Sequence, residues 1–154
     1  MEMMMSSFVY LSDDLSKKIA RIIGQEDSSE NVQRSRPRVL VVDDQRLIAD
    51  TIAEILEGAG FEVVATYDAW EALEAAARSR PDHLLSDVLM PKMNGVELAV
   101  AIRKMYPSVK ILLFSGQAGI SEILIDARER GFEFELIPKP IHPLKLIERI
   151  KEQQ

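Results

Sequence analysis

From Pro37 onward, short apolar runs alternate with stretches whose apolar residues recur at helical spacing. Arg38-Val39-Leu40-Val41-Val42 is short and β-branched, as a central parallel strand should be, and it ends in Asp43-Asp44. Ile48, Ile52, Ile55, Leu56 and Ala59 then share one helical face, and the helix stops at Gly58-Ala59-Gly60. Residues 62–66 alternate and read as a strand nearer the sheet edge. Asp68 is placed to cap a helix over Ala69–Arg78, whose alanines favour helix. His83 to Ser86 reads as a third strand, followed at once by Asp87 and by a loop carrying Pro91. Asn94-Gly95 opens a helix with Val96, Leu98, Ala99, Ile102 and Met105 as its apolar positions.

Residues 109–114 read as a fourth strand ending at Ser115-Gly116. A helix over 120–130 closes at Gly131, and the alternation from Phe132 to Ile137 reads as a fifth strand ending at Pro138-Lys139-Pro140. His142-Pro143 starts a last helix with Leu144, Ile147 and Ile150 on one face. Strict alternation of β and α implies parallel strands, right-handed crossovers and helices on both faces. The expected class is α/β, a doubly wound five-stranded parallel sheet.

Ahead of this region the texture differs. Ser12-Asp13-Asp14 reads as a helix start, and Leu15, Ile19, Ile22 and Ile23 form an apolar stripe closing at Gly24. Residues 25–36 are polar and aperiodic, a linker. The expected organisation is an N-terminal extension over 1–36, with a short amphipathic helix at about 12–24, and one domain over 37–154. The stripe suits packing on the domain better than docking of a partner.

Composition narrows the chemistry. The 154 residues carry a formal charge of −6 with a pI near 5.0, and no basic stripe is present, which argues against nucleic acid. The absence of cysteine removes disulfides, thiolate metal sites and cysteine nucleophiles, and fits a reducing cytoplasm. No apolar run approaches the roughly 18 residues that span a bilayer, and no membrane association is expected.

The strand ends carry the candidate chemistry: Asp43 and Asp44 on strand one, Asp87 on strand three, Ser115 on strand four and Lys139 on strand five. In parallel α/β sheets, ligands bind at these carboxyl ends. Each residue alone has a plain alternative, as cap, turn former or snorkelling cation. His83 fits a strand and His142 a helix cap, so neither enters the site. Together, three carboxylates on one rim repel unless a cation sits among them. Mg²⁺ is the natural cation, since it takes oxygen ligands and keeps positions for water and phosphoryl oxygen. A carboxylate can accept a phosphoryl group, and a lysine and a hydroxyl can bind its remaining oxygens.

These motifs resemble the receiver domain of two-component response regulators. The matching residues are Val41-Val42-Asp43-Asp44, Ser86-Asp87-Val88-Leu89-Met90-Pro91 with Met93-Asn94-Gly95-Val96-Glu97-Leu98, Phe114-Ser115-Gly116 and Pro138-Lys139-Pro140, within about 38–151. The resemblance implies the flavodoxin-like strand order 2-1-3-4-5, for which the chemotaxis receiver is a standard example. It implies Asp87 as phosphoacceptor, and Mg²⁺ (with Mn²⁺ as substitute) held by Asp43, Asp44, Asp87 and the backbone carbonyl of Leu89. It assigns Ser115 as switch hydroxyl and Lys139 as phosphate-binding cation, and it implies a cis bond before Pro140. The expected donor is a sensor histidine kinase or histidine phosphotransfer protein. The expected output is docking to a downstream protein or phosphorelay, by a monomer or weak dimer without a DNA-binding domain. Catalysis is confined to the protein's own phosphorylation and dephosphorylation. The alternatives are a phosphorylation-independent binding module and a Mg²⁺-dependent phosphohydrolase. The latter wants an acid two residues after its nucleophile, where this chain has Leu89.

Two positions depart from the family pattern. Leu136 stands where a Tyr or Phe is common, although Phe134 is near. The positions that tune acyl-phosphate hydrolysis correspond to Leu89 and Gln117. An apolar Leu89 cannot orient a water, so the expectation is a long-lived phosphoryl group.

Overall fold

Strand β1 (Arg38–Val42) is an inner strand of a five-stranded sheet. A computed structural model describes residues 36–116 and 120–153 of the chain. The N-terminal helix expected over 12–24, its linker and Gln117 lie outside the described residues. After β1 follow α1 (Arg46–Gly58), β2 (Glu62–Thr66), α2 (Ala69–Arg78), β3 (His83–Asp87), α3 (Gly95–Met105), β4 (Lys110–Ser115), α4 (Ser121–Glu129), β5 (Glu135–Pro138) and α5 (Pro143–Glu152). The strands are all parallel, in the order β2-β1-β3-β4-β5. This is the doubly wound, flavodoxin-like sheet with helices on both faces.

Alternation along the strands divides the core in two. Leu40, Val42, Leu84, Ile111 and Leu113 face α2, α3 and α4. Val39, Val41, Leu85, Leu112 and Phe114 face α1 and α5. Leu84 and Leu113 are fully enclosed, each burial stabilising by roughly 2 kcal/mol. β3 is buried along its whole length and β2, at the edge, is half exposed, as their sequences implied.

The helix starts follow local chemistry. Asp68 Oδ1 accepts the Glu71 amide at 2.8 Å. Asn94 and Glu97 form a reciprocal capping box, each side chain accepting from the other's amide. His142 Nδ1 accepts the Leu144 amide at 3.2 Å, with Pro143 in the first turn. α1 has no such side-chain cap and no acid in its first turn.

Three expectations are corrected. The fifth strand begins at Glu135 rather than Phe132. The Phe132 and Phe134 rings lie ahead of the strand and stack on each other, centroids 6.3 Å apart and 16° from parallel. The buried face of α5 is Leu146 and Ile150, while Leu144 is 70% exposed in the first turn. Met105, in the last turn of α3, is likewise on the surface. His83 is a buried strand residue, its Nδ1 paired with Gln153 Oε1 at 3.3 Å and its ring edge-on to Phe61. Burial lowers its pKa below the usual histidine value. No helix among the described residues is long and apolar enough to cross a membrane.

Candidate functional site

The carboxyl ends of β1, β3, β4 and β5 converge on one cleft. Asp43 follows β1 directly and is fully buried. Its amide donates to Thr66 O at 3.2 Å, which ties it to the end of β2. Its Oδ1 accepts the Gln45 amide at 2.9 Å, so this oxygen serves the open start of α1, and Oδ2 is left to face the cleft. Asp44 is exposed beside it. Asp87 closes β3 with 8% of its surface accessible. Carboxylate oxygens of all three lie within 4.8 Å of one another.

Lys139 enters from the end of β5. Its Nζ lies 3.2 Å from Asp43 Oδ2 and 3.4 Å from Asp87 Oδ2, and 4.9 Å from the centre of the Phe114 ring. Its backbone is fixed by donation to Ser115 O at 3.0 Å. The Lys139–Pro140 peptide is cis, as the resemblance implied. Ser115, the last residue of β4, is buried one position beyond Phe114, the residue in register with Asp87. Leu89 lies two residues past Asp87 with its side chain 37% exposed. Thus the structure brings Asp43, Asp44, Asp87 and Lys139 together and sets Ser115 and Leu89 at the rim.

Burial is the main force on Asp87 and raises its pKa. Lys139 pulls it down and Asp43 pushes it up. Among these four groups, one ammonium answers three carboxylates and leaves two negative charges unbalanced. All the free donors are hard oxygens, so the deficit and the ligand type both fit one Mg²⁺.

The support of Asp87 includes a residue read only as a helix opener. Gly95 packs against the backbone of Asp87, and its amide donates to Val88 O at 2.7 Å. A Cβ there would run into the Asp87 carbonyl and lie 3.0 Å from Ser86 Oγ, so close approach, not backbone conformation, demands glycine. The aromatic positions also resolve. Leu136 is 36% exposed, and Phe134 packs on Phe132 with the Arg103 guanidinium 5.6 Å from its ring. Neither is directed at Lys139 as a partner; Phe114 is. That contact spans two strands and leaves no local mark in the sequence.

The family model of the response regulator receiver domain matches residues 39–151. The chain belongs to the response regulator receiver family. This receiver is 33% identical to the response regulator MprA of Mycobacterium leprae over 114 residues, 74% of this chain and 49% of that protein. It is 34% identical to the transcriptional regulatory protein PrrA of Mycobacterium tuberculosis over 115 residues, 75% of this chain and 48% of that one. The chain therefore spans about half the length of the curated relatives it matches, and the other half of each lies outside the match. Among solved structures, chemotaxis protein CheY4 of Vibrio cholerae superposes with a TM-score of 0.70 at 30% identity, covering 78% of this chain and all of that one. A CheY-like receiver from Methanospirillum hungatei gives 0.70 at 33% identity, covering 77% of this chain and 94% of that one. The expectation that no DNA-binding domain accompanies this receiver finds no support in relatives of twice its matched length.

Proposed function

We propose that this receiver accepts a phosphoryl group on Asp87 from a histidine kinase or histidine phosphotransfer protein, in a Mg²⁺-dependent reaction, and signals through protein contacts. The observation that carries this is the placement of a nearly buried Asp87 at the end of the central strand, with two further carboxylates and one ammonium around it. Asp43, Asp44 and Asp87, with the Leu89 carbonyl, would hold the ion. The chemistry it supplies when bound is neutralisation of charge on the incoming phosphoryl oxygens.

The remaining work falls to the chain. A carboxylate oxygen of Asp87 attacks phosphorus as the bond to the donor's imidazole nitrogen breaks, and an acyl phosphate forms. Burial raises the Asp87 pKa, and a cation beside it favours the ionised form that attacks. Lys139, already 3.4 Å from Asp87, turns its ammonium to a phosphoryl oxygen, and the Ser115 hydroxyl donates to another. The donor seats on an apolar groove of about 560 Å³ between α1 and the start of α5, which shares Lys139 and Phe114 with the acidic cleft. The output is a conformational equilibrium biased by the new charge.

Incubation with a small-molecule phosphodonor and MgCl₂, followed by phosphate-affinity electrophoresis, tests the proposal. Stable labelling that is lost in Asp87→Asn supports it. Absence of labelling indicates a binding module, and rapid multiple turnover indicates a phosphohydrolase.

A further inference from the structure

Two residues after Asp44, in the uncapped first turn of α1, stands a second cation that the site does not use. The Arg46 guanidinium carbon lies 4.0 Å from the centre of the Tyr67 ring, a close cation–π contact. Tyr67 is itself held from three sides. Its amide donates to Glu71 Oε1 at 2.8 Å, its hydroxyl donates to Asp50 Oδ1 at 2.6 Å one turn further along α1, and its ring packs against the α1–α5 core. It directly follows Thr66, whose carbonyl receives the Asp43 amide. The ring is thus a fixed platform on the rim of the acidic cleft. None of the ion pairs among the described residues joins Arg46 to Asp43, Asp44 or Asp87.

Given the proposed Mg²⁺ site, on which this inference rests, that arrangement has a consequence. An arginine two positions from an exposed carboxylate has the length to fold back on the triad, and its planar fork suits carboxylates. Asp44 is the member of the triad open to such an approach. Paired there, a guanidinium would cancel part of the charge that selects a dication. We propose that Tyr67 is a positioning residue of the metal site: its ring holds Arg46 off the aspartate triad and so preserves affinity for a divalent cation.

Isothermal titration of MgCl₂ into the full chain, after EDTA treatment and dialysis, tests this with a direct binding readout. Tyr67→Leu keeps an apolar body on the core but removes the ring face. It is expected to weaken Mg²⁺ binding by roughly fivefold, the equivalent of about 1 kcal/mol for one freed ion pair. Tyr67→Phe, which keeps the ring, is expected to bind within twofold of wild type. Arg46→Ala placed in the Tyr67→Leu background is expected to restore the affinity, a recovery that a merely structural role for Tyr67 would not produce. Unchanged affinity in Tyr67→Leu, or a loss that Arg46→Ala does not recover, overturns the proposal. Wild type that binds no Mg²⁺ overturns instead the metal site on which it rests, so the two failures are told apart by the first titration.

Discussion

The unbalanced charge around Asp87 predicts that replacing this residue strengthens the metal-free fold. At an effective dielectric constant of about 20, the Lys139 ammonium 3.4 Å away attracts the carboxylate by about 5 kcal/mol. An Asp43 carboxylate within 4.8 Å repels it by about 3.5 kcal/mol. Asp44 is exposed and adds a smaller, solvent-screened repulsion. The pair terms therefore come close to cancelling. Desolvation of a carboxylate with 8% of its surface accessible then decides the sign, against the charge. Asp87→Asn keeps shape and an acceptor for Lys139 while removing the charge, and should raise stability in EDTA by about 1 kcal/mol, within the usual size of single-residue effects. For a domain of this size that is a rise of about 3–6 °C in melting temperature.

Differential scanning calorimetry of both proteins, with and without Mg²⁺, is the assay. Wild type at ten times the Mg²⁺ dissociation constant gains about 1.4 kcal/mol, and the variant, short of one ligand, gains less, so the gap closes. The pH dependence follows from the raised pKa. A carboxyl whose folded pKa lies above its unfolded value carries its full penalty at pH above the folded value. The penalty fades as pH falls through the folded value and is gone below the unfolded one, about 3.9. Wild type should thus gain on the variant as the solution is acidified. A variant that melts below wild type in EDTA, or a gap indifferent to Mg²⁺, refutes this reasoning.

Three further outcomes follow from single contacts. Gly95→Ala drives a methyl group into the Asp87 carbonyl and should destabilise the fold by about 2–3 kcal/mol in urea titration; a loss under 0.5 kcal/mol counts against the close approach. His83, whose pKa burial lowers, is neutral in the fold, so wild type should lose stability as pH drops below about 6.5, the unfolded value. His83→Asn should remove that slope from the difference between the two pH–stability curves. With an apolar Leu89 at the mouth, the acyl phosphate should outlast minutes, and Leu89→Asn should shorten its life by up to about a hundredfold. A half-life of seconds in purified wild type with Mg²⁺ would contradict this.

What the sequence made legible is local. Asp68 and Asn94 cap helices through partners three residues away, and those spacings can be read from the chain. Asp87 could be placed because an apolar run short enough for a central strand ends on it. What failed was ambiguous locally: Phe-Glu-Phe-Glu alternates like a strand, yet the two rings satisfy each other and lie near the Arg103 and Lys104 cations of α3. What was invisible was nonlocal. Lys139 on Phe114 and Arg46 on Tyr67 join elements whose proximity only the sheet order creates. Gly95 was seen as a helix start, and its second duty against Asp87 needed the β3–α3 geometry.

The two adjacent acids after β1 look equivalent in sequence, but the structure divides their labour. Asp43 gives Oδ1 to the Gln45 amide and Oδ2 to Lys139, and its own amide anchors to Thr66. It therefore stands in for the cap that α1 lacks, besides facing the cleft. Asp44 is exposed, and holding the proposed ion is the role assigned to it. Asp44→Asn should accordingly weaken Mg²⁺ at least tenfold, in line with losses seen even for groups one step removed from a metal. Metal-free stability should stay within about 0.5 kcal/mol of wild type. Asp43→Asn should move both quantities, because Lys139 then loses one of its two carboxylates and the start of α1 trades a charged acceptor for a neutral one. Calorimetric melting in EDTA together with Mg²⁺ titration separates the two. If both substitutions shift stability equally, or if Asp44→Asn leaves metal affinity intact, the division of roles drawn from these contacts is wrong.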